Sequence, residues 1–311
     1  MAAPRPVSMQ AVTKHYRGGR GIEKLDLEVG EGEVFAFLGP NGAGKTTTIR
    51  VLLDLIRPDS GSVQLFGQDL RRHSVELRRR IGYLPGDLAL YEHLSARELL
   101  THFAHLRHGP AWREVAALTD AFELELDKPI KALSKGNRQK VGLVQAMMGD
   151  PPLLILDEPT SGLDPLVQSQ VRALMRAAAV EGRTVFLSSH VLSEVGQVAD
   201  RVGIIKDGRM MGTLRVAELK GEAVHYVDVR FAGGAVPAEL DALAGVTVMP
   251  AAADLLHLAV KGDLDPLIAV LAAHRVEELS VREPDLEDVF LDLLSSAPLG
   301  GALDRGDRVY A

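Results

Sequence analysis

The sequence predicts an α/β fold with a parallel-sheet core, followed by a small α+β domain. Four short runs are almost continuously apolar, as strands are when both faces of a parallel sheet are covered. The first run leads directly into a Gly-rich loop and then into apolar residues at helical spacing. A composition shift near Lys220–Gly221 marks a domain boundary. The four runs are residues 33–38, 153–156, 184–188 and 202–205.

The predicted elements divide the chain into three parts. Residues 1–220 form the main domain, with short strands over 8–38 and a helical subdomain at about 88–148. Residues 221–296 form the small α+β domain, whose βαββαβ order is compatible with a ferredoxin-like fold. Residues 297–311 are Gly-rich and polar, and are expected to be disordered. The small domain is predicted as strand 224–231, helix 237–244, strands 246–249 and 255–261, helix 264–274, strand 276–282 and helix 285–294.

Composition excludes several classes of protein. The chain of 311 residues is 46% apolar and 25% charged, as in a soluble globular protein. It has no cysteine, which excludes disulfides and cysteine metal sites. The net charge of −7 argues against a nucleic-acid-binding surface. No apolar run approaches the ~18–20 residues that span a bilayer, and no secretion signal begins the chain, so we expect a cytoplasmic protein.

The Gly-rich loop GPNGAGKT, residues 39–46, predicts a phosphate-binding site. It matches G-x-x-x-x-G-K-[ST] and lies between a strand and a helix, which is the context that this motif requires. Its backbone N–H groups would surround the phosphates of a nucleotide. Lys45 would reach the β and γ phosphates and is predicted to be catalytic, and the Thr46 hydroxyl would ligate Mg²⁺. The predicted nucleotide-binding residues here are Gly39, Pro40, Asn41, Gly42, Ala43, Gly44, Lys45, Thr46 and Thr47.

The run LLILDE, residues 153–158, is an apolar strand that ends in two adjacent carboxylates. Carboxylate oxygens suit Mg²⁺, so Asp157 is predicted as a metal ligand with Thr46. Glu158 could orient and deprotonate an attacking water, which predicts a catalytic base. The phosphate loop and the acidic strand occur in the order that phosphoryl-transfer proteins require.

A second anion-binding element is predicted at LSKGNRQK, residues 133–140. Ser134 can cap a helix, and Gly136 allows a ligand to approach the backbone. A helix N-terminus with these residues suits a phosphate.

Five motifs in order, GPNGAGKT, LSKGN, LLILDE, SGLD (161–164) and FLSSH (186–190), resemble the ATP-binding-cassette (ABC) ATPases over about residues 8–220. The resemblance implies a P-loop nucleotide-binding domain with a parallel-sheet core, a β subdomain and a helical subdomain. It implies ATP as the nucleotide, and two nucleotide domains packed head to tail. The signature segment of one chain, with Ser134, Gly136 and Asn137, would then contact the ATP held by the other.

The resemblance implies roles for three more residues. Tyr16 matches the aromatic residue that stacks on adenine, although an ordinary core tyrosine is the alternative. His190 matches the switch histidine, a catalytic residue that contacts the γ-phosphate. Asp164 matches the loop that couples the two sites across the dimer.

The chain departs from the family pattern at two places. Gly86 stands where the family generally has a Gln that touches Mg²⁺, so water or Asp87 is the alternative ligand. In the signature, Lys135 replaces the first Gly and Asn137 replaces Gln, while Ser134 and Gly136 are kept.

One cassette without a membrane span implies the separate ATPase subunit of a transporter. LSKGNRQK and EPDLEDVFLDLL (283–294) resemble ATPases of daunorubicin-resistance and related drug or antibiotic exporters. The implied partners are a second copy of the chain and an integral-membrane permease, without nucleic acid, and the implied location is the inner face of the cell membrane. The substrate, which the permease would select, cannot be read from the chain.

Two alternatives stay open. A soluble ABC ATPase that remodels a protein or nucleic-acid complex is the alternative function. The C-terminal helix face, built by Leu286, Val289, Phe290 and Leu293, would dock either on its own small domain or on a second chain.

Overall fold

The computed structural model describes residues 4–19, 21–106, 112–217, 224–233, 236–237, 239–240, 243–249 and 255–282. The chain separates into two units, one through Thr213 and one from Leu214. The predicted helix over 285–294 and the predicted tail 297–311 lie outside the described residues. The described strands are β1 (Val7–His15), β2 (Gly21–Val29), β3 (Val34–Leu38), β4 (Ser60–Leu65), β5 (Gln68–Asp69), β6 (Ile81–Leu84), β7 (Leu153–Asp157), β8 (Thr184–Ser189), β9 (Arg201–Lys206), β10 (Arg209–Arg215), β11 (Val224–Phe231), β12 (Val246–Met249), β13 (Leu255–Lys261) and β14 (Val276–Arg282). The helices are α1 (Lys45–Leu52), α2 (Leu70–Arg79), α3 (Ala96–Leu106), α4 (Trp112–Ala121), α5 (Lys135–Met147), α6 (Pro165–Val180), α7 (Leu192–Val198) and α8 (Asp265–Ala273).

A six-stranded sheet forms the centre of the first unit, with the strand order β10-β9-β3-β8-β7-β6. The pairs β9–β3, β3–β8, β8–β7 and β7–β6 are parallel. Every residue of β3, β7 and β8 is buried, as expected for strands of a parallel sheet covered on both faces. Since parallel strands end at one edge, the residues after β3, β7 and β8 meet there.

A second, antiparallel sheet in this unit has the order β2-β1-β4-β5. Its apolar residues join one buried core with residues of α1 and of the central sheet, including Ile22, Leu27, Ile49, Phe37 and Phe186. This core holds the start of α1 between the two sheets, where the phosphate loop enters the helix.

Helices α3, α4 and α5 occupy the part of the chain that was predicted to be helical. Helix α3 begins with a reciprocal cap, in which the Ser95 hydroxyl accepts from Glu98 N and the Glu98 carboxylate accepts from Ser95 N. Val141, Leu143 and Val144 of α5 are fully buried, so the helix that carries the signature segment is fixed by its own core contacts.

The second unit contains an antiparallel four-stranded sheet with the order β12-β13-β11-β14. Val227, Val229 and Leu258 of this sheet share one buried core with Leu267 and Leu271 of α8. The strands and the second helix lie where the sequence predicted them. The predicted helix over 237–244 falls partly outside the described residues, so the ferredoxin-like assignment stays a prediction.

The structure confirms the predicted fold class, a parallel-sheet α/β unit followed by a small α+β unit. The predicted bounds at 220 and 221 fall within undescribed residues and stay predictions. No helix among the described ranges combines the length and the hydropathy that a bilayer crossing requires.

Candidate functional site

The phosphate loop connects the end of β3 to α1 in the arrangement that the motif predicts. A Cβ at Gly39 would lie 2.4 Å from the Ile205 carbonyl oxygen, so only glycine allows this close approach. Gly44 caps α1 with a left-handed φ of 114°, which glycine adopts without strain. No side chain caps the helix. The backbone N–H groups of the first turn therefore remain directed outward, as an anion site at a helix start requires.

Two backbone carbonyl groups of the phosphate loop hold the Lys45 side chain over the loop. Its Nζ donates to Gly39 O at 2.6 Å and to Pro40 O at 3.4 Å, and it lies 3.5 Å from Glu158 Oε1. The residue is only 7% exposed. A buried ammonium group with one carboxylate nearby can attract a polyphosphate strongly, because little solvent screens it.

Asp157 lies at the end of β7, where two hydroxyl groups hold its carboxylate. Thr46 Oγ1 donates to Oδ2 at 3.1 Å, and Ser188 Oγ donates to Oδ1. Ser188 is directly opposite Asp157 in the β7–β8 register. The structure thus brings together Thr46 and Asp157, the two residues predicted to hold Mg²⁺.

Glu158 follows with a left-handed φ of 52°, an uncommon conformation for a residue with a side chain. Its N–H donates to the carbonyl oxygen and to the hydroxyl of Ser188, at 3.2 and 3.1 Å. Its carboxylate accepts from His190 Nδ1 at 2.8 Å. The turn therefore directs Glu158 between Lys45 and His190, so the three residues that were predicted to be catalytic form one cluster.

These residues line a cavity of about 550 Å³, which is large enough for a nucleotide. Predicted residues in its wall come from the phosphate loop, the end of β7 and the residue after β8. Tyr16 also lines the cavity and is 40% exposed, so it is not an ordinary core tyrosine. Gly39 and Ala43 also belong to the loop, but they are buried and do not line the cavity. The predicted residues in the wall are Tyr16, Pro40, Asn41, Gly42, Gly44, Lys45, Thr46, Thr47, Asp157, Glu158 and His190.

Gly86 and Asp87 also line the cavity. A Cβ at Gly86 would lie 3.2 Å from both Cγ and Oδ2 of Asp157, tighter than an ordinary contact. Tyr83 of β6, three residues before Gly86, is half-buried in the wall. Burial and the nearby Asp157 carboxylate raise the pKa of Tyr83 above its ordinary value, so this phenol stays neutral.

The signature residues do not line this cavity. Ser134 caps α5 by accepting from Asn137 N at 3.1 Å. A Cβ at Gly136 would have its nearest described contact at 3.7 Å, so a ligand can approach the backbone there. Asp164 caps α6 by accepting from Leu166 N and Val167 N. Within one chain, the phosphate loop and the signature segment are therefore parts of different surfaces.

The turn after Glu158 connects these two surfaces. Gln139 of α5 is buried, and its Nε2 donates to Pro159 O at 3.3 Å. A Cβ at Gly162 would lie 3.2 Å from Lys135 Cε, which places the SGLD turn against the start of α5. A displacement of the turn after Glu158 would therefore also change its contacts with α5, which carries the signature segment.

Sequence reasoning missed several residues of the site, of which Ser188 and Arg50 make the clearest chemical contribution. Ser188, which contacts both Asp157 and Glu158, was quoted only as part of FLSSH. The signal was available, since Ser188 and Ser189 are polar residues at the end of a buried apolar strand. Arg50 adds a cation to the cavity wall one helical turn after Thr46. Its signal was the spacing of four residues within α1.

The donor set fits Mg²⁺. A hydroxyl oxygen and a carboxylate oxygen lie 3.1 Å apart beside the phosphate loop, and Mg²⁺ binds such oxygens together with substrate phosphates. Across the described residues, no group of three or more histidine, cysteine, aspartate and glutamate residues could hold a metal without such help.

Comparisons with known proteins identify relatives of this chain. A sequence profile described as "ABC transporter" matches residues 22–161. The bacitracin transport ATP-binding protein of Bacillus licheniformis is 34% identical over 93% of this chain and 97% of its own length. A daunorubicin resistance ATP-binding protein of Streptomyces coeruleorubidus is 37% identical over 94% of this chain and 96% of its own. A solved structure described as the ATP-binding subunit of an ABC transporter has a TM-score of 0.64 and 31% identity, and covers 69% of this chain and 91% of that one.

Proposed function

The chain belongs to the ABC transporter family as an ATPase, and from this premise we propose that it drives export of a drug, antibiotic or lipid-like substrate through a separate permease. The observation that carries the proposal is similarity over 93% and 94% of the chain to ATPases named for bacitracin transport and daunorubicin resistance. Attachment to the inner face of the membrane would come from the permease.

The cavity residues support the following hydrolysis. The loop N–H groups and Lys45 bind the phosphates, and Tyr16 stacks on the adenine. Glu158 takes a proton from water while the water oxygen bonds to the γ-phosphorus. The bond between this phosphorus and the β–γ bridging oxygen breaks. ADP and inorganic phosphate leave.

Two neighbours set the behaviour of Glu158. His190 donates to one carboxylate oxygen at 2.8 Å, which fixes the orientation of the base, and the imidazole would contact the γ-phosphate of bound ATP. Lys45 lies 3.5 Å from the other oxygen. The same oxygen can accept the proton of an attacking water.

Mg²⁺ would be held by Thr46 and Asp157, with Ser188 orienting the carboxylate. When bound, it would neutralise charge on the phosphates. Gly86 supplies no side-chain ligand, so water would fill that position, as Mg²⁺ readily keeps several waters.

Two copies form the working ATPase. The cavity has no signature residue in its wall, while Ser134, Gly136 and Asn137 lie at the start of α5, outside that wall. In a head-to-tail dimer each signature helix contacts the γ-phosphate in the other copy's cavity. Asp164, at the turn between the two surfaces, couples the sites.

The test is drug resistance in cells. The chain is expressed with its candidate permease in a sensitive strain, and growth is measured against bacitracin and against daunorubicin. We expect resistance to at least one compound, and its loss when the chain carries Glu158→Gln, which keeps the fold. Equal growth of both strains on every exporter substrate tried, with an active ATPase, would favour the remodelling alternative.

A further inference from the structure

Strand β14 is the edge of the sheet in the second unit. Strand β11 pairs with it on one side, and no described strand pairs with it on the other. An edge strand presents a row of backbone donors and acceptors that another strand can use. Residues 277–281 are all exposed, so none of the residues that the structure describes covers this edge.

Two apolar residues of β14 are half-exposed although they lie on the core face. Leu279 is opposite Val229, and Val281 is opposite Val227, in the β11–β14 register. The two valines are fully buried, whereas Leu279 and Val281 remain 49% and 52% exposed. Residues directly opposite in antiparallel strands share a face. The apolar face of the sheet therefore extends to β14, where it is only half buried.

The sequence of β14 is complementary to itself. When two copies of Glu278–Leu279–Ser280–Val281–Arg282 are placed antiparallel with Ser280 opposite Ser280, each Leu279 is opposite a Val281. Each Glu278 is then opposite an Arg282, and the symmetry gives both pairs twice. Positions 278 and 282 of one strand are about 13 Å apart, so they cannot form this ion pair within a chain.

We propose that β14 pairs with β14 of a second copy, and that this joins two chains through their small units without nucleotide. The occupant is a second copy because the charge order and the apolar pair match under a two-fold axis at Ser280. Glu278 also lies 3.2 Å from Arg230 Nη2 in its own chain, and a carboxylate can accept from both arginines.

The contact is small, since within β14 the register joins only residues 278–282 of each copy, and it falls below the ~1,000 Å² of a stable interface. It therefore forms a weak dimer. Its effect is to raise the effective concentration of one chain for the other before ATP is bound.

The absence of cysteine allows a direct test. Ser280→Cys places one thiol at the two-fold axis, where opposed Cα atoms would be ~4.5–5.5 Å apart, within disulfide range. The matched control is Thr247→Cys, which is exposed on β12 at the opposite edge of the sheet. The full chain is oxidised mildly without nucleotide, and disulfide-linked dimer is measured on a non-reducing gel.

We expect Ser280→Cys to form the dimer faster than Thr247→Cys by on the order of tenfold. Adding Leu279→Lys should reduce the Ser280→Cys rate to that of the control, because an inward lysine opposes edge pairing. Equal rates for Ser280→Cys and Thr247→Cys would overturn the proposal.

Charge reversal tests the register itself. Glu278→Arg should slow crosslinking of Ser280→Cys, and adding Arg282→Glu should restore it. Failure of the second substitution to restore crosslinking would exclude this register. ATPase activity of each variant is measured separately, so that a failed crosslink leaves the proposed transport function untouched.

Discussion

Gly86 lies against the carboxylate of Asp157, where a Cβ would come within 3.2 Å of Oδ2. The residue that lacks the family's Gln side chain is thus packed on a predicted metal ligand. We expect Gly86→Ala to raise the Mg²⁺ concentration for half-maximal ATPase activity by about tenfold, since over-packing costs ~1–3 kcal/mol. Gly30→Ala, whose nearest described contact would be 3.4 Å away, is the control. An unchanged Mg²⁺ requirement in Gly86→Ala would show that the carboxylate moves aside freely.

The role of Asp87 is tested by the same titration. Asp87 lies in the cavity wall and is exposed. We expect Asp87→Ala to leave the Mg²⁺ requirement unchanged, because water replaces the missing Gln. A higher requirement in Asp87→Ala would make Asp87 the ligand instead.

Ser188 should matter more than its neighbour Ser189. Ser188→Ala removes the hydroxyl that contacts Asp157 Oδ1 and Glu158 N, and outer-shell partners typically account for about 10–100-fold in metal affinity or activity. Ser189→Ala removes a hydroxyl that bonds only to Val191 among the described contacts, so its ATPase rate should stay close to normal. Mg²⁺ titrations and ATPase rates for both variants check this, and similar losses in both would mean general damage to β8.

Glu158→Gln should bind ATP but lose about 10²–10⁴-fold in hydrolysis, because an amide cannot accept the proton from water. His190 Nδ1 can still donate to the Gln oxygen, so the turn is kept. ATP should then trap the closed dimer, which size exclusion detects as a doubled mass. Hydrolysis at the normal rate would rule out Glu158 as the base.

Mixed chains test the contribution of the signature segment across the dimer. Lys45→Ala lacks the buried cation for the phosphates, and Ser134→Arg blocks the signature helix, so each chain should be inactive alone. A mixed dimer has one site with Lys45 from one chain and Ser134 from the other. Partial recovery of ATPase activity is expected. Heterodimers that form without any recovery would contradict a signature acting in trans.

Much of the fold and the core of the site could be predicted because the information is local. The phosphate loop and the ends of β7 and β8 follow from apolar runs and short motifs, and the structure brings Lys45, Glu158 and His190 into contact as expected. Ser188 was missed because its role depends on the register between β7 and β8, which are distant in sequence. The packing of Gly86 on Asp157 was missed because it depends on a loop path. Strands β4, β5, β6 and β10 were not predicted. Polar residues and glycines interrupt the apolar residues of β4, β5 and β10, and β6 is only four residues long.

Gly44 caps the start of α1 without a side chain, so the backbone amides there can report whether a ligand is bound. The amide protons of Lys45, Thr46 and Thr47 have no partner within the helix, as at any helix start, whereas Thr48 N donates to Gly44 O. Hydrogen–deuterium exchange at these three amides should therefore slow when a polyphosphate chain is bound, and adenosine alone should leave it fast. Single-residue exchange rates would thus separate recognition of the phosphates from recognition of the base.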